Sequence, residues 1–268
     1  MQRYFLLFSF LILGKLNAQQ LVSDWENYVL SLKGKPVSIN VDLGLKNIAP
    51  MRENPFAIII RVKLNDLDDN GMPQGDELDE LLTMEEKLVD MLARQNGAVF
   101  AGRFTQRGLR EFYFYAPDTL GYIKAVNQSM LSFPAFQYLS IAKQDAEWVN
   151  YQTVLYPSQN DVIKINSRRR LSEMTRQGWS SIDSVEVFHY FNFPDVEARK
   201  RFLMLPQSSG FELVSMPLQQ DVKTGKYLLV LKKNETPNYT WIETNLMQIN
   251  EAALKSGGTY QGWDFLMR

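Results

Sequence analysis

The sequence predicts an α+β protein of two domains, each of them a two-layer α/β sandwich. Apolar runs with strand spacing are separated by segments whose apolar residues recur at helical spacing. The chain has 268 residues, 45% of them hydrophobic, which is enough for two cores of ordinary size. A turn-rich segment, Tyr156-Pro-Ser-Gln-Asn160, separates two such series of elements and predicts the domain boundary.

The N-terminal half is predicted to have the element order β-β-β-α-β-β-α-β. Two extended runs between Trp25 and Leu45 flank Lys33-Gly-Lys35, a three-residue connection typical of a hairpin. A buried strand over residues 56–64 is rich in β-branched residues, and leucines at helical spacing predict an amphipathic helix over 76–95. The remaining elements are a second hairpin (residues 99–105 and 109–116), a helix over 117–130 and a strand over 135–142. This order favours one sheet with helices on one face.

The C-terminal half begins with a polar helix that contains Arg168-Arg-Arg170 and continues in the order β-α-β-β-α-β. In the first of these strands, residues 185–193, the side chains of Val187, His189 and Phe191 share one face. The other elements are a helix over 196–205, strands over 211–216 and 226–233, a helix from the capping box at 240–243 to the glycines at 257–258, and a strand over 259–267. This order is the split βαβ of ferredoxin-like domains, in which the first strand is central. His189 should therefore lie beside residues 257–263.

The first eighteen residues have the pattern of a secretory signal peptide. A short charged start with Arg3 precedes an apolar run over residues 4–13, and Leu16-Asn-Ala18 provides the cleavage site. We expect an exported protein, periplasmic or secreted, whose domains occupy residues 19–156 and 160–268. No later segment approaches the roughly 20 apolar residues that a spanning helix needs, so no membrane span is predicted.

Composition excludes several classes of function. The 29 basic and 30 acidic residues nearly balance, at a net charge of -1, so a nucleic-acid partner is not expected. The absence of cysteine excludes disulfides, thiol chemistry and a lipid anchor attached to cysteine. A single histidine leaves little material for a Ser-His-Asp site or a histidine-rich metal site. We therefore expect a non-enzymatic protein without a cofactor.

One local motif points to a metal. Asp66, Asp68, Asn70 and Gly71, followed by Glu77, match the calcium-loop pattern D-x-[DN]-x-[DN]-G-x5-E. However, a predicted strand rather than a helix precedes this loop, and Pro73 lacks the N–H group that the loop normally uses for pairing. No metal site is predicted, and whether these side chains bind calcium stays open.

The candidate binding residues are His189, Tyr260, Gly262 and Trp263. Tyrosine and tryptophan supply large contact areas at interfaces, and an edge strand can pair with a partner chain. The alternative is structural: His189 would be a hydrogen-bonded core residue, and Trp263 would pack over the sheet. For Arg168-Arg-Arg170 a solvated helix face is favoured over contact with RNA.

The C-terminal half resembles the regulator of ribonuclease E activity B family. The resemblance rests on the strand VEVFHYFNFPD, the segments GFEL and YLLVLKK, and the closing motif GGTYQGWDF. That family's closing motif is typically Tyr-Asp-Gly-Trp, whereas Gln261 stands in the aspartate position here. The resemblance implies a non-enzymatic protein that binds and restrains an endoribonuclease.

The N-terminal half resembles the domain-of-unknown-function family number 695, which implies no known activity. The matching residues are Asp24-Trp25, Tyr28, Asn70-Gly-Met-Pro73, Gly102-Arg103 and the run from Arg110 to Tyr115. Together the two resemblances favour an exported binding or regulatory protein with an unidentified protein partner. The alternatives are an envelope hydrolase, a calcium-stabilised binding module, or a cytoplasmic ribonuclease E regulator that retains residues 1–18. The oligomeric state is open.

Overall fold

The computed structural model describes residues 23–180 and 184–266. It divides into two units, the first ending at Tyr156 and the second beginning at Pro157. The predicted signal peptide lies outside the described residues. Within the described ranges, no helix is long and apolar enough to span a membrane.

The first unit contains a six-stranded sheet. Its elements are β1 (Trp25–Leu32), β2 (Lys35–Asp42), β3 (Phe56–Lys63), α1 (Glu77–Asn96), β4 (Val99–Gln106), β5 (Leu109–Ala116), α2 (Tyr122–Met130) and β6 (Tyr138–Gln144). The strands pair antiparallel in the spatial order β1-β2-β4-β5-β3-β6, and the predicted sequence of elements is confirmed.

Two local predictions in this unit were wrong, each because of a glycine. The first hairpin has a two-residue turn, Lys33-Gly34, with φ values of 52° and 74°, rather than a three-residue connection. Positive φ at both positions is what a type I′ turn requires. Helix α2 begins at Tyr122 instead of residue 117, because Gly121 before it has a φ of 71° in the left-handed region.

Both faces of the first sheet are partly covered. Helices α1 and α2 lie on one face, as predicted, and Leu88 and Val126 are buried there with Phe112. The opposite face is covered by residues 145–155, where the Trp148 ring stacks on Tyr115 with centroids 3.9 Å apart. The Trp148 indole N–H also donates to the backbone oxygen of Asn54 at 2.9 Å. The sequence did not predict this cover, because the short π-helix Tyr151–Leu155 has no extended apolar period.

The second unit is ferredoxin-like, as predicted. Its elements are α3 (Gln159–Arg176), β7 (Val185–Phe193), α4 (Val196–Leu203), β8 (Glu212–Ser215), β9 (Tyr227–Glu235), α5 (Tyr239–Trp241), a π-helix (Ile242–Leu246), α6 (Met247–Lys255) and β10 (Thr259–Leu266). The strand order β10-β7-β9-β8 places β7 in the centre. His189 lies directly opposite Trp263 in the ladder, which confirms the expected neighbours.

The helical stretch before β10 begins earlier than the predicted capping box. Asn238, rather than Thr240, is the N-cap: its side-chain oxygen accepts a hydrogen bond from the Trp241 backbone N–H at 2.9 Å. Asparagine is among the best N-cap residues because its short side chain reaches the first unpaired N–H groups. The cap fixes where the stretch starts, and Ile242 and Leu246 are then fully buried.

The two glycines before β10 predict different responses to an added methyl group. At Gly258 a Cβ would lie well inside van der Waals contact with the Phe193 ring, and 3.1 Å from the backbone oxygen of Asn192. We expect Gly258→Ala to lower the free energy of unfolding by about 3 kcal/mol, since overpacking a buried site forces its neighbours to shift. Urea denaturation of the full chain measures this loss.

Gly257→Ala is the matched control for this change. Gly257 has a φ of 83°, and the nearest atom to its added Cβ would lie 3.8 Å away, so only backbone strain is introduced. That strain costs about 1–2 kcal/mol. Equal destabilisation by the two substitutions would contradict a steric role for Gly258.

Candidate functional site

A β-bulge shapes the strand that carries three of the four predicted site residues. In β10, Tyr260 pairs with Phe191 and Gly262 with Tyr190, so Gln261 is the extra residue, and Gly262 has a φ of 121°. In a regular strand, side chains three positions apart point to opposite faces. The bulge cancels this alternation and turns Tyr260 and Trp263 toward the same core, where they are 2% and 6% exposed.

His189 lies at the centre of a buried hydrogen-bond network. Its Nε2 atom is 2.8 Å from a carboxylate oxygen of Glu235, and its Nδ1 atom is 3.0 Å from the Tyr260 hydroxyl. Burial, with the nearby Glu235 charge, raises the pKa of Tyr260 well above its usual value, so the phenol keeps its proton. One tautomer satisfies all three groups: Nε2–H donates to Glu235 while the Tyr260 hydroxyl donates to Nδ1. The structure therefore places His189 in a satisfied polar network inside the core.

Helix α3 is attached to the sheet and to the neighbouring helical layer by side-chain contacts. The Trp263 indole N–H donates to the Ser167 hydroxyl at 2.9 Å. Lys164 and Arg168 both form ion pairs with Glu243, the second at 2.8 Å. Partial burial works against ionisation of Glu243, but these two cations lower the pKa of its carboxyl. Arg168 therefore bridges elements and does not simply extend into solvent.

A groove of about 1000 Å³ lies between α3 and β10, and we refer to it as the α3–β10 groove. Its lining consists of Gln159, Val162, Ile163, Asn166, Ser167, Arg169, Arg170, Glu173 and Arg176 from α3, Tyr190 and Leu228 from the sheet, and the run from Tyr260 to Asp264. Three of the predicted site residues, Tyr260, Gly262 and Trp263, line this groove. His189 does not line it, and whether any of the four contacts a partner stays a prediction.

The lining indicates which part of β10 faces the groove. Successive side chains of a strand point to opposite faces, so five consecutive residues cannot all line one cavity through their side chains alone. The groove must therefore run along the edge of the strand, where the backbone is accessible. β10 is an edge strand, and no strand within residues 23–180 and 184–266 pairs with its outer side.

The residues of the calcium-loop motif form hydrogen bonds within their own loop. The Glu77 carboxylate accepts from the backbone N–H groups of Asn65 and Asp66 at 2.7 and 3.0 Å. Asp68 accepts from the N–H groups of Met72 and Asn70, and the Met72 bond contributes most to lowering the pKa of Asp68. The part of the chain that the structure describes contains no group of three or more His, Cys, Asp or Glu side chains placed to hold a metal.

Sequence reasoning missed a second cavity, in the first unit, which we name the Trp25 pocket. It has a volume of about 320 Å³ and is lined by Trp25, Asn40, Glu85, Glu86, Val89, Phe100 and Arg103. Its residues come from β1, β2, β4 and α1, so no local motif marks it. The one available signal was a tryptophan on a strand with polar neighbours.

The fold and the groove define a two-unit α+β protein with a ferredoxin-like C-terminal unit that carries an open strand edge. Residues 23–156, half of the chain, match the model described as Family of unknown function (DUF695), and the chain belongs to that family. Residues 164–265 match the model described as Regulator of ribonuclease activity B. Both predicted resemblances are thereby confirmed, and the second match supports a regulatory or binding role at the level of the family.

Comparison with other proteins adds no argument about function. No curated protein matches this chain significantly. A crystal structure of an unknown protein from Galdieria sulphuraria is 12% identical, with 80% of this chain and all of that chain covered, at a TM-score of 0.21. A protein provisionally assigned as a glycine cleavage system transcriptional repressor is 11% identical, with 80% and 98% covered, at a TM-score of 0.20. These likenesses are too distant to bear on fold or activity.

Proposed function

We propose that this chain is an exported, non-enzymatic binding protein that takes an extended segment of a partner protein into the α3–β10 groove. The observation that carries the proposal is the course of the groove along the free edge of β10, over five consecutive residues. An extended peptide can add to such an edge through main-chain hydrogen bonds, while side-chain pockets beside it provide selectivity.

The charges of the groove favour an acidic partner segment. Arg169, Arg170 and Arg176 contribute three guanidinium groups to the lining, against the two carboxylates of Glu173 and Asp264. Two of the arginines are partly neutralised, because Arg176 pairs with Glu173 at 2.6 Å and Arg170 with Asp264 at 3.4 Å. The remaining balance is positive, and arginine suits carboxylate partners because its fork of N–H groups can bind both oxygens.

The lack of enzymatic activity is part of the proposal. It is supported by the position of the single histidine, which is fully buried and hydrogen-bonded to Glu235 and Tyr260 instead of facing the groove. The family-level match to a ribonuclease regulator also favours binding over catalysis. The named target of that family is not carried over to this chain, because residues 1–18 favour export.

The experiment that tests the groove is a capture assay with matched charge reversals. We expect the wild-type chain to retain a partner from an envelope extract, and the double variant Arg169→Glu/Arg176→Glu to retain about tenfold less of it. Lys200→Glu is the control, because this lysine lies on α4, outside the groove lining, and its side chain is 57% exposed. Capture that is unchanged in the double variant would show that the partner binds elsewhere.

The compartment is tested separately. N-terminal sequencing of the mature protein should find a chain that begins after Ala18. A mature chain that still begins with Met1 would remove the export claim and would favour the alternative of a cytoplasmic ribonuclease E regulator. For the alternatives of a calcium-stabilised module or an envelope hydrolase, calorimetric titration with millimolar calcium and assays for hydrolytic activity decide.

A further inference from the structure

The Trp25 pocket presents a fixed aromatic surface to solvent. Trp25 belongs to the edge strand β1, and its side chain is 42% exposed. Its ring stacks on Phe100 with centroids 5.4 Å apart and an interplanar angle of 28°, and Phe100 packs on the buried Phe114 at 4.9 Å. One face of the indole is therefore supported from the core, so the ring is preorganised to receive a ligand.

Polar groups of several kinds surround this ring. Arg103 donates from Nη1 to both oxygens of Glu85, at 2.5 and 2.6 Å, which fixes the orientation of the guanidinium. Both side chains are only 16% exposed. Across residues 23–180 and 184–266, neither the half-buried Asn40 amide nor the Glu86 carboxylate has a hydrogen-bond partner. The pocket thus offers unused acceptors and donors beside an apolar plane.

We propose that the Trp25 pocket binds a neutral pyranose unit of a saccharide. A pyranose ring has a face of C–H groups, which would pack on the Trp25 indole, and a rim of hydroxyls, each able to donate and to accept. Such hydroxyls would donate to the Glu86 carboxylate or the Asn40 carbonyl and accept from the Asn40 amide N–H groups. The volume of about 320 Å³ is near the lower limit of ligand sites, roughly 300–1,000 Å³, and suits one or two sugar units.

The charges of the pocket argue against other ligand classes. Arg103 and Glu85 neutralise each other, and Glu86 leaves the lining slightly negative, which disfavours phosphates and acidic sugars. Recognition of an organic cation by aromatic residues generally needs several open ring faces. In this pocket Phe100 turns one of its faces to Trp25, so the indole is the main open platform.

The test is titration of the full chain with neutral trisaccharides of glucose, galactose, mannose and N-acetylglucosamine, followed by calorimetry and tryptophan fluorescence. We expect saturable binding of at least one of them, with a Kd of about 1 mM or below. Trp25→Ala should weaken that binding about tenfold or more, Trp25→Phe less, because it keeps an aromatic ring. Asn40→Ala and Glu86→Ala should each weaken it several-fold.

Two comparisons make the result decisive. Val29→Ala is the matched control, because Val29 lies on the same strand and face, is 63% exposed and does not line the pocket. It should leave the affinity unchanged. No binding of any of the four saccharides to the folded chain, undiminished binding by both Trp25 variants, or binding of choline instead of the saccharides would overturn the proposal. The groove variant Arg169→Glu/Arg176→Glu should bind saccharide normally, so this proposal and the proposed function can fail independently.

Discussion

Gly102→Ala is expected to destabilise the first unit by about 4 kcal/mol, or to prevent it from folding. Gly102 lies at the register shift in β4 and has a φ of 150°, a conformation that residues with a side chain rarely adopt. A Cβ at this position would overlap the backbone oxygen of Asn40 in β2 and lie 3.1 Å from the Val41 Cα atom. Because these atoms belong to the backbone of a paired strand, no side-chain rotation relieves the overlap.

Urea denaturation of the full chain, followed by circular dichroism and tryptophan fluorescence, measures this loss. Gly34→Ala is the matched control in the same unit: Gly34 also has a positive φ, of 74°, but its added Cβ would meet nothing within 4 Å. We expect a cost of about 1–2 kcal/mol there from backbone strain alone. If both variants lost the same stability, close packing of β2 on β4 would not be the reason for the glycine.

Glu235→Ala is expected to lower the free energy of unfolding of the second unit by about 2–4 kcal/mol. The substitution removes the only partner of the His189 Nε2 atom, at a site where the imidazole is fully buried. A buried N–H group without an acceptor loses its hydration and gains nothing in return. Thermal and urea denaturation measure the change.

Two further variants separate the hydrogen bond from other effects. Glu235→Gln keeps a side-chain oxygen that can accept from Nε2–H, so we expect it to cost about 1 kcal/mol. Glu251→Ala, on the exposed surface of α6, should change stability by less than about 0.5 kcal/mol, because its ion pair with Lys255 is solvated. A Gln variant as damaging as the Ala variant would mean that the carboxylate charge, and not the hydrogen bond, supports the network.

The candidate site shows how far local patterns lead. The order of strands and helices in the second unit placed β7 in the centre and His189 beside β10, since a ferredoxin-like topology fixes these neighbours. The hydrogen bonds of the site could not be predicted. His189 and Tyr260 are 71 residues apart in the chain, and Ser167 and Trp263 are 96 apart. Contacts at such separations leave no periodic pattern in the sequence.

Local start and stop positions depended on individual residues whose backbone conformation the pattern does not reveal. Gly121 delays α2, and Asn238 starts the helical stretch before the predicted capping box. In both cases the residue type is compatible with several local structures, and packing selects one of them. The Trp25 pocket escaped prediction for a related reason, because α1 and three separate strands form its walls.

The sequence by itself determined the element order, the division near residue 156 and the buried faces of strands such as β7, because side-chain periodicity encodes which face is apolar. Only the tertiary structure decided that Tyr260 and Trp263 face the same core, since the bulge at Gln261 depends on pairing with β7. It also decided that α3 lies along β10 to form the groove, and that Phe100 supports Trp25 from below. Long-range packing, which alternation and helical spacing do not record, sets each of these arrangements.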